Sequence, residues 1–551
     1  GTVMVKDIRS GASGSSPIYL TNVNSVLFFV ASDGINGQEL WKSDGTELGT
    51  VMVKDIRSGA IDSNSNYLAN INGVLYFQAN NGINGTEFWK SDGTEAGTVM
   101  VKDINTTTPS SSTGLLTAVN SNLYFKANDG VNGEELWKSD GTHNGTAMVK
   151  DIRSGSSGSS LNYLTNVNGT LYFTADNGVN GSELWKSDGT ELGTVMVKDI
   201  NSGASGSSPL YLTNVNGTLF FRADNGVNGS ELWKSDGTEA GTVMVKDIRS
   251  GASHSYPDKL FDFNGILYFN ATDGTTGSEL WKSDGTEAGT VLVKDIYPGG
   301  SLSSSSPEAF TNVNGTLFFR ANDGSRGYEL WKTDGTEAGT VMVRDIKSGG
   351  SSSSSITSNE LINFNTLLYF RADDGISGAE LWKSDGTGLG TVMVKDMYSG
   401  SGGFDPSNLT NINGTLYFRA VNGGSNGTEL WKSDGTEEGT VMVKDIRSGA
   451  GSSNPNYLTN INGTLYFQAD DGVNGTELWK SNGTAEGTVM VGDIYPGSTN
   501  SSPANITYFD NSVFFSATNL ANGTELFKVA IDNPTLSSVT PVFSSTTGLV
   551  S

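Results

Sequence analysis

A chain of 551 residues is longer than one conventional hydrophobic core accommodates and points to several domains or a repeat array. Acidic residues outnumber basic ones 59 to 34, for a formal charge of −25, which excludes nucleic acid and anionic membrane as partners because both demand clustered Lys and Arg. Cysteine is absent, which rules out disulfides and thiolate chemistry, and no apolar run approaches the ~18 residues of a membrane-spanning helix.

The first predicted element is the strand Val3–Ile8, VMVKDI, a pattern that returns throughout the chain. The chain opens with Gly1-Thr2 rather than Met, inside a repeat, so a signal peptide or a longer upstream region is expected to have been removed or left out. A segment centred on Glu-Leu-Trp-Lys-Ser-Asp-Gly-Thr then recurs at Glu39, Glu87, Glu135, Glu183, Glu231, Glu279, Glu329, Glu380, Glu429, Glu477 and, in worn form, Glu525. Its steps are 48 residues, apart from three of 50, 51 and 49 in the middle. Such a period makes each copy one supersecondary unit that buries its apolar faces on its neighbours.

Residues 161–200 show what one unit is. Tyr163 to Val167 runs into Asn168-Gly169 and then Thr170 to Phe173, and Asn-Gly between alternating apolar runs is a strong hairpin signal. Asp176 to Gly181 is dense in turn formers, Glu183 to Lys186 is a third strand, Ser187 to Thr190 a turn, and Thr194 to Val197 a fourth strand. A Gly/Ser connector over 202–208 leads to the next copy, and no window carries a helical period. Four antiparallel strands per repeat predict an all-β propeller blade with both faces packed. All ten Trp residues fall at one repeat position (Trp41, Trp89, Trp137, Trp185, Trp233, Trp281, Trp331, Trp382, Trp431 and Trp479) and are expected to anchor blade against blade.

The chain starts on a fourth strand and its last repeat stops after a third, Glu525 to Lys528. The two halves make one blade, so residues 1–531 are expected to form a propeller of eleven four-stranded blades closed by strand 3–8. Two smaller propellers in tandem, divided at the longer connectors 298–307 or 347–359, or an open superhelical array are the alternatives. Residues 532–551 read as a linker toward a further domain, one part of a longer polypeptide.

These residues resemble the ELWxxDGT repeat family of bacterial exported and cell-surface proteins over about residues 1–530. The motif weakens only where Asn482 replaces Asp and where Phe527 replaces Trp. The resemblance implies a secreted or cell-surface location. The turn Ser43-Asp44-Gly45-Thr46 also looks like the Asp-box turn of sialidase-type propellers. By that likeness Asp44, Asp92, Asp140, Asp188, Asp236, Asp284, Asp334, Asp385 and Asp434 are structural, each carboxylate accepting hydrogen bonds from its own loop. No arginine cluster with a Tyr nucleophile stands out, so no catalytic residue is assigned and the protein is read as a non-enzyme.

Two sets of candidate ligand residues remain. Asp129, Asn132 and Glu135 place oxygen atoms at intervals of three on a Gly-bent loop, with counterparts at Asp33 and Glu39 and at Asp471 and Glu477, a pattern open to calcium. The competing reading has Asp and Asn shape the turn while Glu135 caps backbone amides or pairs with Lys138; no other cofactor is expected. The residue after the aromatic pair of the second strand varies, and Lys126, Arg222, Arg320, Arg371 and Arg419 there form a basic arc suited to an anionic glycan or carboxylate, unless each pairs with an acid such as Asp247 or Asp345. The expected function is a surface adhesin or display module making multivalent contacts with a glycan or protein on another surface, or with other parts of a surface assembly. A lectin-like propeller, a structural scaffold and an Asp-box glycosidase are the alternatives.

Overall fold

Each repeat folds as its alternation dictates. In the fourth, Asn162–Val167, Thr170–Asp176, Ser182–Ser187 and Val195–Lys198 pair in sequence order as an antiparallel sheet. The Asn168-Gly169 turn has φ of 51° and 83°, the two positive values of a type I′ hairpin. The computed structural model describes residues 2–106, 110–348, 361–397, 400–421 and 426–531, and the proposed linker 532–551 lies outside them. Among the described residues there are eleven four-stranded sheets and no helix.

Both faces of a blade are apolar because the second strand alternates two kinds of large side chain. Leu171, Phe173 and Ala175, with Trp185, face back onto Val119, Tyr124, Leu136, Val149 and Ile152 of blade three. Tyr172, with Leu184, Val197 and Ile200, faces forward onto Leu219, Phe221 and Trp233 of blade five. Burying a Leu or Phe contributes about 1.5–3 kcal/mol, so each interface is a small core of its own.

The interfaces decide the architecture. An open row of eleven blades has one interface fewer than it has blades, whereas here eleven blades share eleven clusters. The eleventh joins Phe509, Phe514, Leu526, Val5 and Ile8 of the last blade to Leu27, Phe29 and Trp41 of the first. The molecule is therefore one closed eleven-bladed β-propeller, and neither tandem rings nor an open array describes it. The long connectors mark no boundary: blades six and seven, and seven and eight, pack like every other pair.

The seam is a strand exchange between the chain's two ends. Val3–Lys6 pairs antiparallel with Gly523–Ala530, placing Val3 opposite Lys528 and Met4 opposite Phe527. Lys6 Nζ donates to the Thr50 carbonyl at 2.9 Å, as Lys54 does to Thr98 and Lys102 to Thr146. Only blade ten lacks this basic residue. Blade eleven takes its fourth strand from the chain start and has no Ser-Asp-Gly-Thr turn to receive one, and Gly492 stands in its place. A Cβ there would lie 3.0 Å from the Thr2 side chain.

Between blades it is the first strands that lie side by side, Ile18–Val23 beside Asn66–Ile71 and beside Ala504–Phe509, so these strands surround the centre of the ring. The strand directions give the disc two unlike faces. One bears the hairpin turns and the Ser-Asp-Gly-Thr turns. The other bears the loops after the second strands, the connectors between blades and the beginnings of the first strands.

Candidate functional site

Three constructions repeat around the ring, two of them holding it together and one varying from blade to blade. The first is the Glu of the Glu-Leu-Trp motif, which is fully buried. Glu183 accepts the amides of Ile200 at 3.2 Å, Asn201 at 3.1 Å and Ser207 at 2.7 Å, along with the Ser207 hydroxyl. It thereby fastens the connector to its blade, and Glu525 does the same across the seam with Ile8, Arg9 and Ser15. Burial pushes these carboxyls up against the pull of their donors, to about 7 for Glu183 and Glu525 and about 8 for Glu39 and Glu380. A protonated carboxyl has a taker for its hydrogen: Ser255 Oγ lies 2.6 Å from Glu231 Oε2 and 3.1 Å from the Ser230 carbonyl, so it can accept from one and donate to the other.

The second is the Ser-Asp-Gly-Thr turn. In all nine turns Oδ1 of the Asp accepts the amide and the hydroxyl of the Thr two residues on, at 2.7–2.8 Å. Those donors hold the Asp44 carboxyl below the usual carboxylate range. Asn482 makes the same two bonds, at 3.0 and 2.9 Å. The following Gly is required twice over: Gly141 has φ of 86°, and a Cβ would meet the Tyr76 hydroxyl of the preceding blade at 2.1 Å. Each of the ten Trp side chains is 2–6% exposed and sits in an inter-blade cluster. Phe527 takes that place in blade eleven.

The structure does not bring the proposed calcium ligands together. Asp129 accepts the amides of Val131 and Asn132 and the Asn132 side chain, whereas Glu135 turns inward to the amides of Ile152 and Arg153. Asp33 and Glu39, and Asp471 and Glu477, divide in the same way. Lys138 donates to the Gly189 carbonyl of the next blade and not to Glu135. In blade seven Arg326 bridges Asp323 and Asp345, at 2.9 and 3.3 Å.

The third construction is the rim of the central opening, where the proposed basic residues lie. Four of the five stand in register with the first residue of their inner strand: Lys126 opposite Gly114, Arg222 opposite Leu210, Arg320 opposite Glu308 and Arg419 opposite Ser407. Their partners differ from the acids first considered. Lys126 pairs with Glu134 at 3.1 Å, Arg320 with Glu308, and Arg371 with Asp405 of the next blade at 2.5 Å. Arg222 lies 5.0 Å above the Tyr211 ring, while Asp247 accepts from Asn228 and Asp345 from Arg326. Arg419 forms no ion pair among the described residues. The arc is thus a row of mostly neutralised charges and not an open basic surface.

One feature of the rim escaped the sequence reading. The second residue of the inner strand has φ between 53° and 60° in ten blades: Tyr19, Tyr67, Leu115, Tyr163, Tyr211, Lys259, Ala309, Asn408, Tyr457 and Asn505. It is the bulge residue where the register to the second strand shifts. Asn tolerates this left-handed conformation, whereas a bulky side chain held there costs on the order of 1–3 kcal/mol. Five of the ten are nonetheless Tyr, and these are 41–61% exposed. The recurring Tyr before Leu-Thr-Asn was visible in the chain as a strand start, but neither its φ nor its exposure was.

No family model matches the chain, and neither does any curated protein. Among solved structures, puromycin hydrolase is similar at 13% identity and a TM-score of 0.28, over 65% of this chain and 58% of that one. A prolyl endopeptidase gives 11% and 0.30, over 68% and 54%, so the chain spans little more than half the length of either. The GH74 enzyme of Niastella koreensis gives 11% and 0.26, over 96% and 86%. Likenesses this distant carry no argument about the chemistry of this chain.

Proposed function

We propose that this protein is an exported binding and display ring, as the likeness to ELWxxDGT repeat proteins suggests, which holds a surface partner on its variable face through many weak contacts. One observation carries the reading: the blades differ from one another chiefly on that face. The opposite face repeats the same Ser-Asp-Gly-Thr turns because their hydrogen bonds demand those residues. At the rim the position after the aromatic pair is Val30, Gln78, Lys126, Thr174, Arg222 or Asn270 in blades one to six, and the inner-strand residue opposite varies as widely. The blade framework needs no such diversity, and a surface that reads a partner does. Rigid presentation of many such positions turns contacts that are individually weak into strong attachment, by about 10²–10⁴ in avidity where the geometry allows simultaneous engagement.

The test is binding of the intact ring to immobilised polysaccharides and to cell surfaces, compared with short oligomers of the same sugars. Attachment should strengthen at least tenfold from short to long ligand. Equal affinity for both lengths, or binding to no surface, refutes the multivalent reading. Turnover of fluorogenic sugar substrates by the ring, abolished by a single substitution, would replace it with a glycosidase.

A further inference from the structure

The rim is chemically divided. Going round the ring from blade ten through eleven and one to blade five, the left-handed position carries Tyr457, Asn505, Tyr19, Tyr67, Leu115, Tyr163 and Tyr211. Beside three of the five tyrosines the paired residues are amides or a hydroxyl, Asn456 facing Gln468, Asn66 facing Gln78 and Asn162 facing Thr174, whereas Ile18 faces Val30 beside Tyr19 and Leu210 faces Arg222 beside Tyr211. The one charged residue at the varying second-strand position between blades ten and four, Lys126, is neutralised by Glu134. Blades six to nine instead carry Lys259, Arg320, Arg371 and Arg419 with Asp258, Glu308 and Asp405. Between blades one and two the tyrosine arc borders an open hollow of about 420 Å³ lined by Tyr19, Leu20, Thr21, Asn66, Tyr67 and Leu68. Its size is that of a small-ligand site, for which about 300–1,000 Å³ is usual.

Resting on the function proposed above, we infer that the tyrosine arc binds a neutral polysaccharide, with the hollow between Tyr19 and Tyr67 as its best-formed subsite. Three observations select that ligand class. A flat, half-exposed ring with few rotatable bonds is a platform for the apolar face of a sugar, and it loses little entropy on binding. The neighbouring amides both donate and accept, which matches hydroxyl groups that also do both, whereas a polyproline peptide offers carbonyls alone. Nucleic acid would use the same ring faces but needs a line of Lys and Arg along its backbone, and at the varying second-strand position this arc has two cations, Lys126 paired with Glu134 and Arg222 lying over the Tyr211 ring, in a chain of charge −25. Apart from Tyr211, which lies under Arg222, the tyrosines also stand where Asn is the less strained residue, and strain alone would not select them. The platform would.

That last point supplies a clean experiment. Tyr19→Asn together with Tyr67→Asn installs the residue that blades nine and eleven already hold at this position, Asn408 and Asn505, so folding is not at risk. Binding to soluble cellohexaose, chitohexaose and mannohexaose is measured by calorimetry on the intact ring, with Leu192→Ser on the opposite face as control. At least one neutral oligosaccharide should bind the parent, lose tenfold or more in affinity to the double variant, and keep its affinity for Leu192→Ser, with the melting temperature of the double variant unchanged or raised. Binding unaffected by the double variant, or tyrosine-dependent binding of a proline-rich peptide in place of the sugars, overturns the inference. If only anionic glycans such as polygalacturonate bind, the inference falls while the display function stands. If no surface or sugar binds, both fall.

Discussion

The strand that closes the ring can be removed and supplied again. Deleting residues 1–9 takes away the buried side chains of Val5 and Ile8, and at about 1.5–3 kcal/mol each this is roughly 3–6 kcal/mol. Glu525 also loses the amides of Ile8 and Arg9, and leaving a buried polar group short of partners costs about 1–3 kcal/mol. The sum, roughly 4–9 kcal/mol, is comparable with the whole stability of an ordinary domain. The other ten interfaces remain, so the loss is concentrated at the two blades beside the seam. The truncated chain should keep its β circular dichroism, melt several degrees lower, and associate through the bared edge of Gly523–Ala530. A synthetic peptide of residues 2–9 should bind it by strand addition, restore the melting temperature and return it to monomer in sedimentation, while a scrambled peptide does nothing. A truncated chain that melts like the parent, stays monomeric and ignores the peptide would refute the closure argument.

The buried glutamates set a pH dependence of definite sign. A carboxyl raised from its ordinary 4.5 to about 7 in the fold binds more protons folded than unfolded, so its stabilisation is complete below 4.5 and lost as pH rises through 7. The melting temperature should fall from pH 5 to pH 8, and Glu183→Gln should flatten that slope by one group's share, at most about 1.4 kcal/mol per pH unit; a melting temperature that rises with pH over this range would contradict it. The Asp residues of the Ser-Asp-Gly-Thr turns act oppositely, their lowered carboxyls withdrawing stability only as pH drops below the ordinary 3.8. Asp188→Ala should cost about 1 kcal/mol by chemical denaturation and Asp188→Asn clearly less, since Asn482 already serves in blade ten. Trp233→Ala should cost about 3–5 kcal/mol and Trp233→Phe a fraction of that, with faster hydrogen exchange confined to blades four and five; exchange spread evenly round the ring would show that the interfaces are not local units.

What the chain by itself determined is the blade and its number. Period-2 alternation with apolar residues on both sides, Asn168-Gly169 and its counterparts, and ten Trp at one position dictate short hairpins packed face to face, because these are local demands of φ, side-chain direction and burial. Even the closing strand was legible, since a lone fourth strand at one end and a missing one at the other have one economical pairing. What only the tertiary structure decided lies where partners come from different blades. The Asp129 and Glu135 side chains, close in sequence, part because one completes its own loop and the other is drawn inside by connector amides of Ile152 and Arg153. The partner of Arg371 is Asp405, a residue of the next blade that no spacing rule selects. The exposure of Tyr19 and Tyr67 depends on a bulge in the innermost strand and on blades converging at the centre of a ring. Local pattern specifies a unit, whereas the meeting of side chains across units is a property of the assembled curvature.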